Sequence, residues 1–153
     1  MWVFVTIGGA TGALARYWLS GWIQGVSGGV FPFGTLVVNV VGCLLLGIGM
    51  QGMEALPVSA AVRTMLTIGF LGAFTTFSTF SYETVALLRD GDWTRAGLYT
   101  ALSVGLGLAA VIAGMARWPP RYSPPGGDRD RPAQLKFFCA AVVCSSADPR
   151  RRR

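Results

Sequence analysis

The sequence predicts an all-α membrane protein: four transmembrane helices with a broken third helix, whose charge balance permits an antiparallel dual-topology homodimer. Three observations carry that reading. Residues of apolar type make up 52% of the chain and charged ones only 13%, with no His at all, which is a membrane composition. The apolar residues gather into four runs, each near the ~20 residues a bilayer core requires. Charge is nearly balanced across the two ends of those runs, so neither orientation is strongly preferred.

The first span is predicted from about Trp2 to Ile23. It has no basic segment ahead of it and carries Gly8, Gly9 and Gly12 through its centre, so it is expected to be a retained helix rather than a cleaved leader. Trp2 at one end and Tyr17, Trp18 and Trp22 at the other suit two interfacial aromatic belts. The spacing of Gly8 and Gly12, and of Gly105 and Ala109, suits close helix approach. The second span is predicted over Phe33–Met53, the third over Val58–Leu88 and the fourth over Thr94–Ala116. Short connections predict antiparallel neighbours.

Arg63 and Arg117 fall on one side of the predicted spans, Arg89 and Arg95 on the other. A chain so balanced can insert both ways and pair with its own inverted copy, and only the tail spoils the balance. Residues 1–117 form the expected membrane domain, with five Arg against four acids; residues 118–153 hold eight basic and three acidic residues among several prolines. That composition predicts a disordered, solvated basic tail with no nucleic-acid partner. Without His, neither a Ser-His triad nor a His-ligated metal can be built. Cys43 sits in an apolar run, and Cys139 and Cys144 lack a second pair for zinc. No phosphate-binding loop or paired carboxylates appear, and no enzyme activity is expected.

The third span is the informative one. Between Gly69 and Tyr82 it holds Gly72 and a cluster of Thr and Ser, whose hydroxyls compete for backbone hydrogen bonds, so a break is expected there. The competing reading is a continuous helix with each hydroxyl bonded back onto its own carbonyls. Non-helical backbone at bilayer depth survives only inside protein or along a wet cavity, which makes this stretch a candidate ion or substrate site. In the second span Thr35 and Asn39 are four apart and share a face, offering a hydroxyl and an amide as donors, or an Asn that joins two helices. Phe77 and Phe80 share a face in the third, with Ser78 and Thr79 between them. Aromatic rings have a positive edge, so the pair suits either a weak anion-attracting ladder or plain core packing.

These residues resemble a known family, the small four-helix fluoride channels called Fluc or CrcB. The segments Gly8–Tyr17, Gly34–Asn39 with Gly42, and Gly69–Ser81 look like its signatures in its order and spacing. The resemblance covers residues 1 to about 117 and leaves out the tail. It implies an antiparallel homodimer in the cell membrane with two fluoride pathways and a structural sodium ion at its centre. Pore-lining aromatics would be Phe77 and Phe80, the pore amide Asn39, and further hydroxyls Thr35, Tyr99 and Ser103. The sodium would be held by backbone carbonyls of Gly72 and Thr75 from both chains. Ala73 stands where many members have a second Gly. Arg16 resembles the family's arginine near the pore mouth, or snorkels to headgroups.

Fluoride is small and strongly hydrated, so it must exchange water for short hydrogen bonds from Asn and hydroxyl donors, while a fixed cation deep in the pore would hold it too tightly. The alternative is a small multidrug-resistance-type proton-coupled transporter, which needs a membrane-embedded carboxylate. Only Glu83 is available, toward the end of the third span and outside that pattern.

Overall fold

The computed structural model describes residues 2–55 and 58–117, and every regular element among them is helical. Residues 118–153, predicted to be a basic tail and including Cys139 and Cys144, lie outside the described residues.

Helix α1 spans Trp2–Ser27. Gly28 closes it with φ +58, a left-handed conformation that glycine adopts without a Cβ penalty. Gln24 then staples the turn: its Nε2 donates to the carbonyls of Gly29 and Phe31 (2.9 and 3.2 Å), and its Oε1 accepts from Gly34 N–H (3.2 Å). Helix α2, Phe33–Ala55, follows directly after Pro32. Arg63 donates from Nη2 to Met53 O (2.7 Å), satisfying a carbonyl at the far end of α2.

The third apolar run, expected as Val58–Leu88, folds in four pieces. A short α3, Ala60–Thr64, is capped by Ser59. A π-helical segment, Met65–Leu71, continues it, and α4, Gly72–Phe74, ends it. Thr75 (φ −81, ψ 153) and Thr76 (φ −146, ψ 112) are extended, and α5 begins at Phe77 and runs to Arg89. Gly72 itself is helical, with φ −64 and ψ −34. Both hydroxyl behaviours weighed from sequence occur: Thr75 Oγ1 bonds back to Leu71 O (3.0 Å), whereas Thr76 Oγ1 turns forward and accepts from Thr79 N–H (3.2 Å), capping α5.

Gly91, at φ +78, turns the chain into α6, Trp93–Ala116. Asp92 caps α6 through Arg95 N–H (3.2 Å) and pairs with the Arg95 guanidinium at 3.0 Å. Three stretches are long and apolar enough to cross a membrane: Phe33–Met53, Ala60–Arg89 and Trp93–Ala116. Helix α1 is long enough at 26 residues, but Thr6, Thr11, Arg16, Ser20 and Gln24 dilute its apolarity.

Packing is set by small residues. α1 lies backbone-to-backbone on the π-helical segment, where a Cβ on Gly8 would collide with Met65 O and one on Gly12 with Phe70 O. α2 and α6 approach through Gly47 and Gly114, each of which faces the other helix's backbone. Gly105, expected to do this from its spacing, instead faces open space. A small core of Leu36, Leu87, Ala96 and Tyr99, with Phe80 and Phe31 against it, holds α2, α5 and α6 together.

Candidate functional site

The site grows from the two extended residues between α4 and α5. Extending Thr75 and Thr76 removes helical hydrogen bonds at membrane depth, and each stranded group then needs another partner. Asn39, in the second turn of α2, supplies two. Its Nδ2 donates to Thr76 O (3.1 Å) and its Oδ1 accepts from Thr76 N–H (2.8 Å), so one amide side chain satisfies a whole peptide unit. Gly42, almost one turn further on, leaves room for Thr75 and Phe74, which a Cβ there would strike. From α1, Arg16 donates through Nε to Ala73 O (3.0 Å).

On the α5 side, Thr76 Oγ1 lies 2.9 Å from Thr79 Oγ1 and 3.2 Å from Ser78 Oγ. One turn beyond Thr79 on the same face stands Glu83, and here two expected donors converge: Thr35 Oγ1 donates to Oε1 (2.9 Å) and Tyr99 OH to Oε2 (2.7 Å). Tyr99 is fully buried. One turn along α6, the hydroxyl of Ser103 is buried with no hydrogen-bond partner among the described residues, leaving its donor capacity free.

The aromatic residues flank this polar line. Phe77 and Phe80 have ring centroids 5.6 Å apart and tilted by 45°, and Phe80 lies 5.2 Å from Tyr99. Phe80 is half-buried, but Phe77 is 80% exposed, far too open for a core residue of this chain. Gly72 and Ser78 are exposed as well. Above Glu83 opens a cleft of about 420 Å³ whose polar lining includes Ser20, Gln24, Thr35, Thr79, Glu83 and Asp90.

The structure therefore brings Thr35, Asn39, Ser78, Thr79 and Tyr99 into one hydroxyl-and-amide line beside Phe77 and Phe80. It sets Arg16 at the Ala73 carbonyl. Sequence reading missed two members. Glu83 was weighed only for a different chemistry, although an ionisable residue inside a span signals a site by default. Thr76 was hidden among its neighbouring hydroxyls.

A family model described as "CrcB-like protein, Camphor Resistance (CrcB)" matches residues 3–115. The Fluoride-specific ion channel FluC of Syntrophotalea carbinolica is 47% identical over 114 residues, covering 74% of this chain and 91% of that protein. Its counterparts from Rhizobium leguminosarum bv. trifolii and Geobacter sulfurreducens are 44% and 47% identical, covering 74% and 72% of this chain and 92% and 90% of theirs. With the family model matching well over half of its length, the chain belongs to the CrcB family.

Proposed function

We propose that the protein is a fluoride-selective ion channel of the cell membrane, not an enzyme, which lets fluoride leave the cell passively. Relatives named as fluoride-specific ion channels support the substrate. The observation that carries the mechanism is the line from Asn39 through Thr76, Ser78 and Thr79 to Thr35 and Tyr99, which offers neutral donors beside two aromatic rings. Glu83 in that line accepts from two hydroxyls at once. The Glu83 oxygens thus already engage the donors a passing fluoride would recruit, and so give the ion a competitor that prevents tight trapping.

Four spans are proposed, α1 being the fourth, with the third broken at Thr75 and Thr76. Two copies pair antiparallel, giving two pores, and the pairing covers Gly72, Phe77 and Ser78, which one chain leaves exposed. Residues 118–153 are proposed as an appendage to the channel domain, 1–117. A structural sodium ion fits the dimer axis. The Thr76 N–H that would bond the Gly72 carbonyl in a continuous helix donates to Asn39, so the Gly72 carbonyl is released, and Thr75 O lies in the extended stretch. Carbonyl oxygens suit a hard cation, and no cluster of three His, Cys, Asp or Glu exists among the described residues to hold one by side chains.

Purified protein in liposomes tests the reading. Fluoride efflux with little chloride efflux is the expected outcome, and comparable chloride flux would sink it.

A further inference from the structure

We infer that Arg16 is a positioning residue that clamps the interruption between α4 and α5, with one face of α1 acting as the ruler that sets where the interruption lies. The inference rests on the channel reading and assigns Arg16 a role other than attracting ions at the pore mouth.

Gly8, Gly12 and Arg16 follow one another at intervals of four and so share one face of α1. Each meets backbone of the third run, in order along it. Gly8 faces Met65 O, Gly12 faces Phe70 O, and Arg16 bonds Ala73 O at 3.0 Å. The two glycines let the backbones touch, which fixes α1 against the π-helical segment with no side chain to slide on. Arg16 then reaches the last full turn before the chain goes extended.

The Ala73 carbonyl is where a clamp is needed. In a continuous helix it would accept from the N–H of Phe77, four residues on. Thr75 and Thr76 are extended, so that bond is lost and the carbonyl is stranded. A guanidinium satisfies it and complements the negative end of a helix dipole. Asn39 holds the peptide of Thr76 from the other side. The two side chains thus grip the interruption from α1 and α2, and together they place Phe77, the first residue of α5. Arg16 is half-buried and has this carbonyl as its one hydrogen-bond acceptor among the described residues.

Flux at two ionic strengths separates a clamp from an ion attractor. A charge that gathers anions acts through the screened field, which reaches about 30 Å at 0.01 M and about 3 Å at 1 M, so its effect fades with inert salt. A misplaced Phe77 does not recover. Arg16→Gln is expected to lose about tenfold of the fluoride flux at both salt levels, in keeping with one charge-assisted hydrogen bond, while Arg16→Lys stays within about threefold. Gly12→Ala, which pushes α1 off Phe70 O with charge unchanged, is expected to lose flux likewise. Gly21→Ala, whose Cβ meets nothing within 4 Å, should not.

A loss in Arg16→Gln that disappears in high salt, wild-type flux in that variant, or wild-type flux in Gly12→Ala would each overturn the clamp. Should Arg16→Gln not fold, Arg16→Lys and Gly12→Ala decide. If the wild-type protein itself passes no fluoride, the channel reading falls. The clamp is then judged by hydrogen exchange at the Thr75 and Thr76 amides, expected to be faster in Arg16→Gln and fatal to the clamp if unchanged.

Discussion

Asn39 and Thr76 exchange two hydrogen bonds, Nδ2–H to O at 3.1 Å and N–H to Oδ1 at 2.8 Å, so a side chain in α2 completes the backbone between α4 and α5. One Nδ2 hydrogen remains for another acceptor. Asn39 is therefore a joint between helices that keeps one N–H to spare, so the two roles the sequence offered as alternatives are compatible.

Replacing Asn39 tests the joint. Asn39→Ala strands a donor and an acceptor of one peptide in a water-poor interior, and each unsatisfied group costs about 1–3 kcal/mol. A fall in melting temperature together with loss of fluoride flux is expected. Asn39→Asp keeps the acceptor for Thr76 N–H but sets an oxygen against Thr76 O, so flux should fall there too. A wild-type melt in Asn39→Ala would mean the joint carries no weight.

The two phenylalanines should respond differently in stability and alike in transport. Phe80 packs on Tyr99 at 5.2 Å, and losing an aromatic pair costs about 0.5–1.5 kcal/mol, so Phe80→Ile should lower the melting temperature. Phe77 is 80% exposed in one chain, and Phe77→Ile should barely change the fold of that chain. Both variants should cut fluoride flux, because isoleucine fills volume without a ring's positive edge. Wild-type efflux in both, measured on intact dimer, returns the rings to packing.

How far the sequence could be read depends on the range of the interaction concerned. Helix ends at Gly28, Asp92 and the three apolar stretches are written in local composition and capping. The polar character of Asn39 and Thr35 is local too, but their partners lie 37 and 48 residues away, and no spacing rule reaches that far. Glycine drew attention to position 72, yet Gly72 is helical and the extended residues are Thr75 and Thr76. The partner there is tertiary: Asn39 takes both polar groups of the Thr76 residue. The π-helical turn over Met65–Leu71 has no composition signal; its backbone lies against Gly8 and Gly12 of α1, a contact that no local pattern encodes.

The tail should act on insertion rather than on conduction. Arg117, Arg121, Arg129 and Arg131 all follow the last span, an excess that favours a cytoplasmic C-terminus and starves an inverted partner. Ending the chain after Arg117 should leave flux intact or raise it, and should even out the two orientations in a cysteine-labelling assay. Loss of flux in well-folded truncated protein would show that residues 118–153 belong to the channel.

Sodium dependence tests the dimer axis. In the proposed antiparallel pair, Gly72 and Thr75 from each chain turn four carbonyl oxygens toward one point, and in a water-poor interior those dipoles need a cation. Sodium should then raise the melting temperature by mass action, by up to about 2.7 kcal/mol of stability at a concentration 100 times its dissociation constant, and potassium should do much less at matched ionic strength. Because the ligands are backbone atoms, Thr75→Ser should keep the effect; serine also retains the hydroxyl that bonds Leu71 O. Gly72→Val separates one chain from two. Within a single chain a Cβ at position 72 meets only Thr67 O, at 3.8 Å, an ordinary van der Waals contact. The larger damage is expected from a second copy pressed against Gly72, so the variant should fold yet lose both the sodium effect and the dimer. If instead sodium and potassium stabilise the wild type equally and Gly72→Val dimerises normally, neither the central ion nor an axis at Gly72 survives.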